Sequence, residues 1–202
     1  MSVVGPARDI VGLGAWAVRW LGAQAILSAA AVAVALGYGT GYLDSPGYGL
    51  VALLQLAVFL VAGFVVLRWI WFATANAHAF GAESLRFGPW LAVGAYFIPI
   101  ANLIMPLQSM RDTWKASVEP RDWEIVEVPA ILGWWWFFWL AGNIAGVAAF
   151  RLSDAEAYPG LGEAAATLTI VSDGLTVAAC ALLAVIVRRM SALQQARAVF
   201  AA

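Results

Sequence analysis

Residues 87–110, FGPWLAVGAYFIPIANLIMPLQSM, carry no charge, and by length alone they would cross a bilayer, so their reading decides between four membrane spans and five. A helix rises about 1.5 Å per residue and needs about 20 apolar residues to cross a hydrocarbon layer of about 30 Å. Pro89, Pro99 and Pro106 interrupt this run, and Asn102, Gln108 and Ser109 add polar groups. Proline removes a backbone donor and clashes with the preceding turn. Residues 90–98 alone would make a helix of only about 14 Å, too short to cross. A re-entrant or surface-lying hairpin bent near Pro99, leaving and returning on one side, is the expectation.

The cations support that reading. If 87–110 does not cross, Arg8, Arg19, Arg68, Arg86, Arg111, Lys115, Arg121, Arg188, Arg189 and Arg197 share one side, ten of the 11 in the chain, and Arg151 is left on the other. If it crosses, six of the 11 fall outside. Cytoplasmic loops collect Lys and Arg, so the first arrangement is preferred.

Working outward, four further runs qualify as spans: about 17–37, 48–70, 130–150 and 165–187. The second ends in Arg68-Trp69-Ile70-Trp71, a cation and two indoles suited to an interface. The third opens with Pro129 and holds the block Trp134-Trp135-Trp136-Phe137-Phe138-Trp139. The expected fold is therefore an all-α integral membrane protein forming one domain over 1–202, with four transmembrane helices and a proline-bent re-entrant or interfacial segment at about 73–127. Both termini are expected on the cytoplasmic side of the cell membrane. A short outer turn is expected around 38–47, and an acidic outer loop with Asp154, Glu156 and Glu163. The first run is long enough to be a full span and carries no evident cleavage site, so it is expected to be retained. Small residues on it (Gly22, Ala23, Ser28, Ala29, Ala30, Ala31 and Ala33), with Gly142 and Gly146 on the third span, would let neighbouring helices approach closely.

Composition narrows the functions. Hydrophobic residues make up 63% of the 202, and charged residues 11%, against about 25% charged in ordinary soluble domains; mean hydropathy is +0.84. A net charge of -1 provides no basic surface for nucleic acid. One cysteine and one histidine provide no internal disulfide, no Cys/His zinc set and no histidine pair for haem. No metal or other cofactor is expected.

Two polar constellations stand out. Asp173 lies well inside the last span, where a charge costs on the order of 2.5–3.5 kcal/mol on insertion scales. In a hairpin joined by 151–163, Asn143 falls at the depth of 171–173, so an Asn143–Asp173 hydrogen bond is expected, with Thr169, Ser172 and Thr176 nearby. This is either an interhelical polar clasp or the polar end of a ligand or cation site. In the inner segment, Asn76, Glu83 and Arg86 are expected to fold back on one another, Glu83 and Arg86 most simply as a helix-surface ion pair. Pro106 starts a short helix whose Leu107, Met110 and Trp114 form one stripe, expected against the bilayer, with Arg111, Asp112 and Lys115 towards water. His78 has no serine, cysteine or second acid at catalytic spacing, and reads as an interface residue. All 11 tryptophans fall on or near the cytoplasmic half, as anchors or as the lining of an aromatic groove.

The stretch Arg68-Trp69, Asn76, Gly81, Phe87, Pro89, then Phe97-Ile98-Pro99-Ile100-Ala101-Asn102-Leu103, Pro106 and Met110-Arg111-Asp112-Thr113-Trp114-Lys115-Ala116-Ser117 resembles a bacterial membrane-protein family known as domain-of-unknown-function family 4328. The similarity continues through Ser172-Asp173 and Val187-Arg188-Arg189-Met190 to Gln194-Gln195, covering about 50–200. The first span rests on hydropathy alone. The resemblance implies a four-span bundle with a cytoplasmic polar segment, and no activity.

Three functions compete. The favoured one is a non-enzymatic module that binds a membrane lipid, or a partner membrane protein or second copy, through a Trp-rich cytoplasmic-side groove. Asn76, Pro99, Asn102, Pro106 and Trp114, with Asn143 and Asp173, are its candidate ligand-binding residues. The alternative is a small oligomeric transporter or channel using Asp173, Asn143 and the helix broken at Pro99 and Pro106. An enzyme using His78 and Glu83 lacks a recognisable nucleophile, metal set or acid pair.

Overall fold

A computed structural model of the protein describes residues 7–38, 47–154, 157–158 and 160–200. Most of the expected outer turn, including Tyr42 and Pro46, and Glu156 of the outer loop, lie outside the described residues. Four long helices dominate: α1 (Val11–Tyr38), α2 (Tyr48–Ala79), α5 (Ile131–Leu152) and α6 (Gly162–Phe200). Between α2 and α5 come α3 (Pro89–Gly94) and α4 (Met105–Val118), with single 3-10 turns at Ala95–Phe97, Ala101–Leu103 and Trp123–Ile125. No strand occurs among the described residues. The four long helices are each long and apolar enough to cross a membrane; the 32 residues of α2 make about 48 Å of helix, more than a hydrocarbon layer needs. This is a multi-pass, all-helical membrane protein.

The helices begin and end for local reasons. The first starts earlier than hydropathy suggests, because the Asp9 carboxylate accepts from the Val11 N–H at 2.8 Å and caps it. Its buried side follows a seven-residue repeat of Ile10, Gly14, Ala17, Leu21, Gln24, Ser28, Ala31 and Ala35, alternating steps of four and three. The second helix stops at Gly81, whose φ of +90° favours glycine. There the Ala82 N–H donates to the Ala77 carbonyl (3.4 Å) and the Gly81 N–H to that of His78 (3.1 Å). Ala77 and Ala82 meet Ala116 and Trp123 in one small core, so the helix end is sealed by apolar contact as well.

The run 87–110 is broken where its prolines predict. Ile98, before Pro99, is extended (φ -102°, ψ 114°), as a residue preceding proline tends to be. Ile104 departs from helix just before α4, whose first turn holds Pro106. The longest helix between α2 and α5 has 14 residues, about 21 Å.

The chain forms two compact units. One comprises Met1–Arg19, Gly63–Gly133 and Leu183–Ala202, and the other Trp20–Ala62 and Trp134–Leu182. In the first, α4 packs among the ends of α2 and α6. The amphipathic reading of α4 is corrected here: Met110 and Trp114 are 1% and 8% exposed, turned into protein rather than lipid, and Asp112, expected towards water, is 3% exposed. Eight of its 14 residues are buried, four of them serine, threonine or aspartate. Such a helix fits a polar protein interior better than a membrane surface.

Candidate functional site

In the first unit a hydrogen-bonded core ties four chain segments together. The Asn76 side chain accepts from the Arg8 N–H (2.8 Å) and donates to the Arg8 carbonyl (2.8 Å) and to Gln194 Oε1 (3.0 Å). Gln194 donates through Nε2 to the Ala73 carbonyl (2.9 Å) and to Ser117 Oγ (2.8 Å), and Ser117 donates onward to the Thr113 carbonyl. Arg197 donates to the Ser117 carbonyl at 2.8 Å. The expected grouping of Asn76 with Glu83 and Arg86 is not formed. Ser84, between the latter two, has φ +59°, so no helix surface exists there for an i, i+3 ion pair. Arg86 reaches Asp112 instead, through two parallel bonds of 2.8 and 2.6 Å. Those bonds push the Arg86 guanidinium pKa up.

Arg86 and Asp112 also border a cavity of about 360 Å³, together with Arg111, Lys115, Trp123, Glu124 and Val128. Lys115 donates to the Glu124 carbonyl (2.9 Å), and the Trp123 indole to that of Glu83 (2.9 Å), fixing the wall formed by 119–128. Arg111 Nε is buried with no hydrogen-bond partner.

Asn102 sits in the bend between the two prolines, its Oδ1 likewise buried and unpartnered; Pro106 is buried and Pro99 exposed. Around them the bend turns a row of apolar side chains outward. Trp90 and Ile100 are 80% and 81% exposed, and Phe97, Ile98, Leu103 and Ile104 are exposed too. His78 Nε2 lies 3.3 Å from the Phe87 carbonyl. The tryptophans do not share one role: Trp69, Trp114, Trp123, Trp135 and Trp136 are buried, while Trp16, Trp90 and Trp134 face outward.

The second unit holds the other constellation. Asp173 accepts from Gln55 Nε2 at 2.9 Å and from Ser28, and Gln55 also reaches Ser28 Oγ at 3.3 Å. The expected Asn143–Asp173 bond is not made. Asn143 is exposed and donates to the Trp139 carbonyl one turn back (2.7 Å). The depth matching was right to within one residue, since Ser172 donates to the Gly142 carbonyl at 3.0 Å. A Cβ on Gly146 would stand 3.0 Å from Ser172 Oγ, so the glycines of α5 do admit α6. Gln55 and Gln194 went unnoticed as site residues, although Gln55 is the sole polar side chain between Tyr48 and Arg68, where a buried amide needs a partner.

Among the described residues no group of three or more His, Cys, Asp or Glu side chains is placed to hold a metal ion. The family model for a domain of unknown function, DUF4328, matches residues 47–192. The chain belongs to the DUF4328 family. Searches of curated proteins and of solved structures find no match. The matched span takes in the bend, the cavity, Gln55 and Asp173, and stops short of Gln194 and Arg197.

Proposed function

We propose that this DUF4328 protein is a non-enzymatic membrane module whose proline-bent stretch, residues 87–104, rests in the cytoplasmic leaflet of the cell membrane and binds a lipid there, with both chain termini cytoplasmic. The observation that carries the reading is the outward apolar row from Trp90 to Ile104, on helices too short to cross a membrane. Isolated exposed apolar residues need no explanation, but a series of them along one short bend marks an interaction surface. Asn102 Oδ1, buried and unpartnered within the same bend, would become an acceptor for a lipid hydroxyl where the bend opens to admit one. Charge supports that orientation: the unit containing the bend holds ten of the 11 Lys and Arg residues, and cytoplasmic sides collect them.

Native mass spectrometry of full-length protein, gently extracted, tests this. Retained lipid is expected, and Trp90→Ser with Ile100→Ser, or Asn102→Ala, should reduce it. Retention of another membrane protein in place of lipid would favour protein docking, and turnover lost in His78→Ala would overturn the non-enzymatic reading. Transport through Asp173 is the weaker reading, because its carboxylate is already engaged by Gln55 and Ser28. A flux in sealed vesicles abolished by Asp173→Asn would reverse that ranking.

A further inference from the structure

The cavity beside α4 has a charge that its own side chains do not balance. Arg86 and Asp112 neutralise each other through two hydrogen bonds. What remains on the wall is Arg111 and Lys115 against Glu124, an excess of one positive charge. Arg111 and Lys115 are four residues apart on one helix, so their side chains rise from the same face. Lys115 has one donor committed to the Glu124 carbonyl, leaving two N–H groups. Arg111 Nε is buried without an acceptor, which is costly for a charged donor in any folded protein. A guanidinium terminal nitrogen of Arg111 lies 3.8 Å from where a Cβ on Gly133 would stand, in the first turn of α5, whose backbone N–H groups add positive potential.

We propose that this cavity binds a phosphate group carrying one negative charge, as in a phosphodiester, held by Arg111 in a fork and by Lys115 as a second donor. A planar guanidinium can engage two phosphate oxygens at once; with Nε closed off from the cavity, the two terminal nitrogens of Arg111 are the prongs that a phosphate would meet. One negative charge cancels the excess. Glu124 is exposed at the wall and does not fill the role itself. The inference deepens the lipid reading and rests on it for the source: at the cytoplasmic leaflet the abundant phosphodiester is a phospholipid headgroup, while a soluble phosphate ester would present the same chemistry.

The test uses full-length protein in uncharged detergent with two probes, short-chain phosphatidylglycerol and inorganic phosphate, followed by native mass spectrometry and thermal melting. Diacylglycerol serves as the phosphate-free lipid. Phosphatidylglycerol is expected to bind, diacylglycerol not, and Arg111→Gln to weaken binding about tenfold or more. Lys115→Gln should weaken it less, and Arg188→Gln, an exposed cation of the same unit, not at all. Should Arg111→Gln fail to fold, Gly133→Leu, which fills the space beside the guanidinium, must also reduce binding. If inorganic phosphate raises the melting temperature of the wild type and not of Arg111→Gln while no lipid binds, the phosphate site stands and the lipid reading falls. If lipid binds equally with and without phosphate, and Arg111→Gln and Lys115→Gln match wild type with both probes, the proposal is overturned although the lipid reading survives.

Discussion

Asn76 commits its carbonyl to one backbone N–H and its amino group to a carbonyl and an amide, so it pins residue 8 to α2 and α6 and has little left for a ligand. Asn76→Ala would leave the Arg8 N–H and carbonyl and Gln194 Oε1 unpaired, at about 1–3 kcal/mol for each group that stays buried. The melting temperature of detergent-solubilised Asn76→Ala should fall well below wild type; an unchanged melt would show the network to be dispensable. Asp173 and Gln55 pose the converse case. Asp173→Asn keeps an oxygen for Gln55 to donate to, whereas Gln55→Leu removes a donor to an acid inside a span. Melting of the two variants should rank Gln55→Leu as the more damaging, and the opposite order would mean that the charge itself matters. The sequence showed that Asp173 needs a partner and at what depth, but not which residue provides it. Depth counting along α5 and α6 locates Asn143 within a residue, yet on a helix one residue is a 100° turn, and Asn143 faces away. Gln55 belongs to a third helix, to which that counting does not extend.

The close approach of α1, α2 and α6 in the first unit turns on one small residue. A Cβ on Gly14 would stand 2.6 Å from Ser191 Oγ and 3.4 Å from Trp69 Nε1, and those two atoms are themselves hydrogen-bonded at 3.0 Å. Gly14→Ala should therefore displace the serine hydroxyl and break its bond with the buried indole. Adding Ser191→Ala removes the clash but still leaves the indole N–H unpaired. The double variant should then melt above Gly14→Ala and below wild type, with a coupling of about 0.5–3 kcal/mol expected of residues in contact. Strict additivity would show that the helices shift apart instead. At the end of α2, Gly81→Ala forces a side chain into a left-handed conformation at a cost of about 1–2 kcal/mol, and the protein should melt lower accordingly. Boundaries were legible where proline acts on its own neighbours, as Pro99 stops a helix at Ile98 whatever surrounds it. They were not legible where a helix continues past its apolar run: α1 begins at Val11, α2 continues to Ala79 and α6 to Phe200, beyond the expected spans of 17–37, 48–70 and 165–187. The facing of α4 was not legible. The stripe of Leu107, Met110 and Trp114 looks the same whether it meets lipid or protein, and Asp112 finds its cation in Arg86, 26 residues away on a non-helical stretch.

Across the whole molecule charge is partitioned more sharply than the net value of -1 suggests. The unit made of Met1–Arg19, Gly63–Gly133 and Leu183–Ala202 contains ten Lys and Arg against seven Asp and Glu, a net of +3. The other unit contains Arg151 against five acids, a net of -4. These sets come from three and two separate stretches of chain, so no single basic run produces the asymmetry. Aromatic rings support the cations in the first unit, Arg8 and Arg68 lying over Phe72 at 5.0 and 5.8 Å, an arrangement suited to a membrane–water boundary. Positive-inside orientation requires the chain to enter and leave 87–110 on the cytoplasmic face. Single cysteines at exposed positions flanking that run, Glu83→Cys and Asp122→Cys, test this in a Cys180→Ala background with an impermeant maleimide. Both should react in inverted vesicles and stay protected in sealed right-side-out ones, while Ser153→Cys, after α5, should do the reverse. If 83 and 122 are labelled from opposite faces, the run crosses the membrane, six cations move outside, and the phosphate cavity, formed by residues 86–128, is exposed on the far side from the leaflet proposed to fill it.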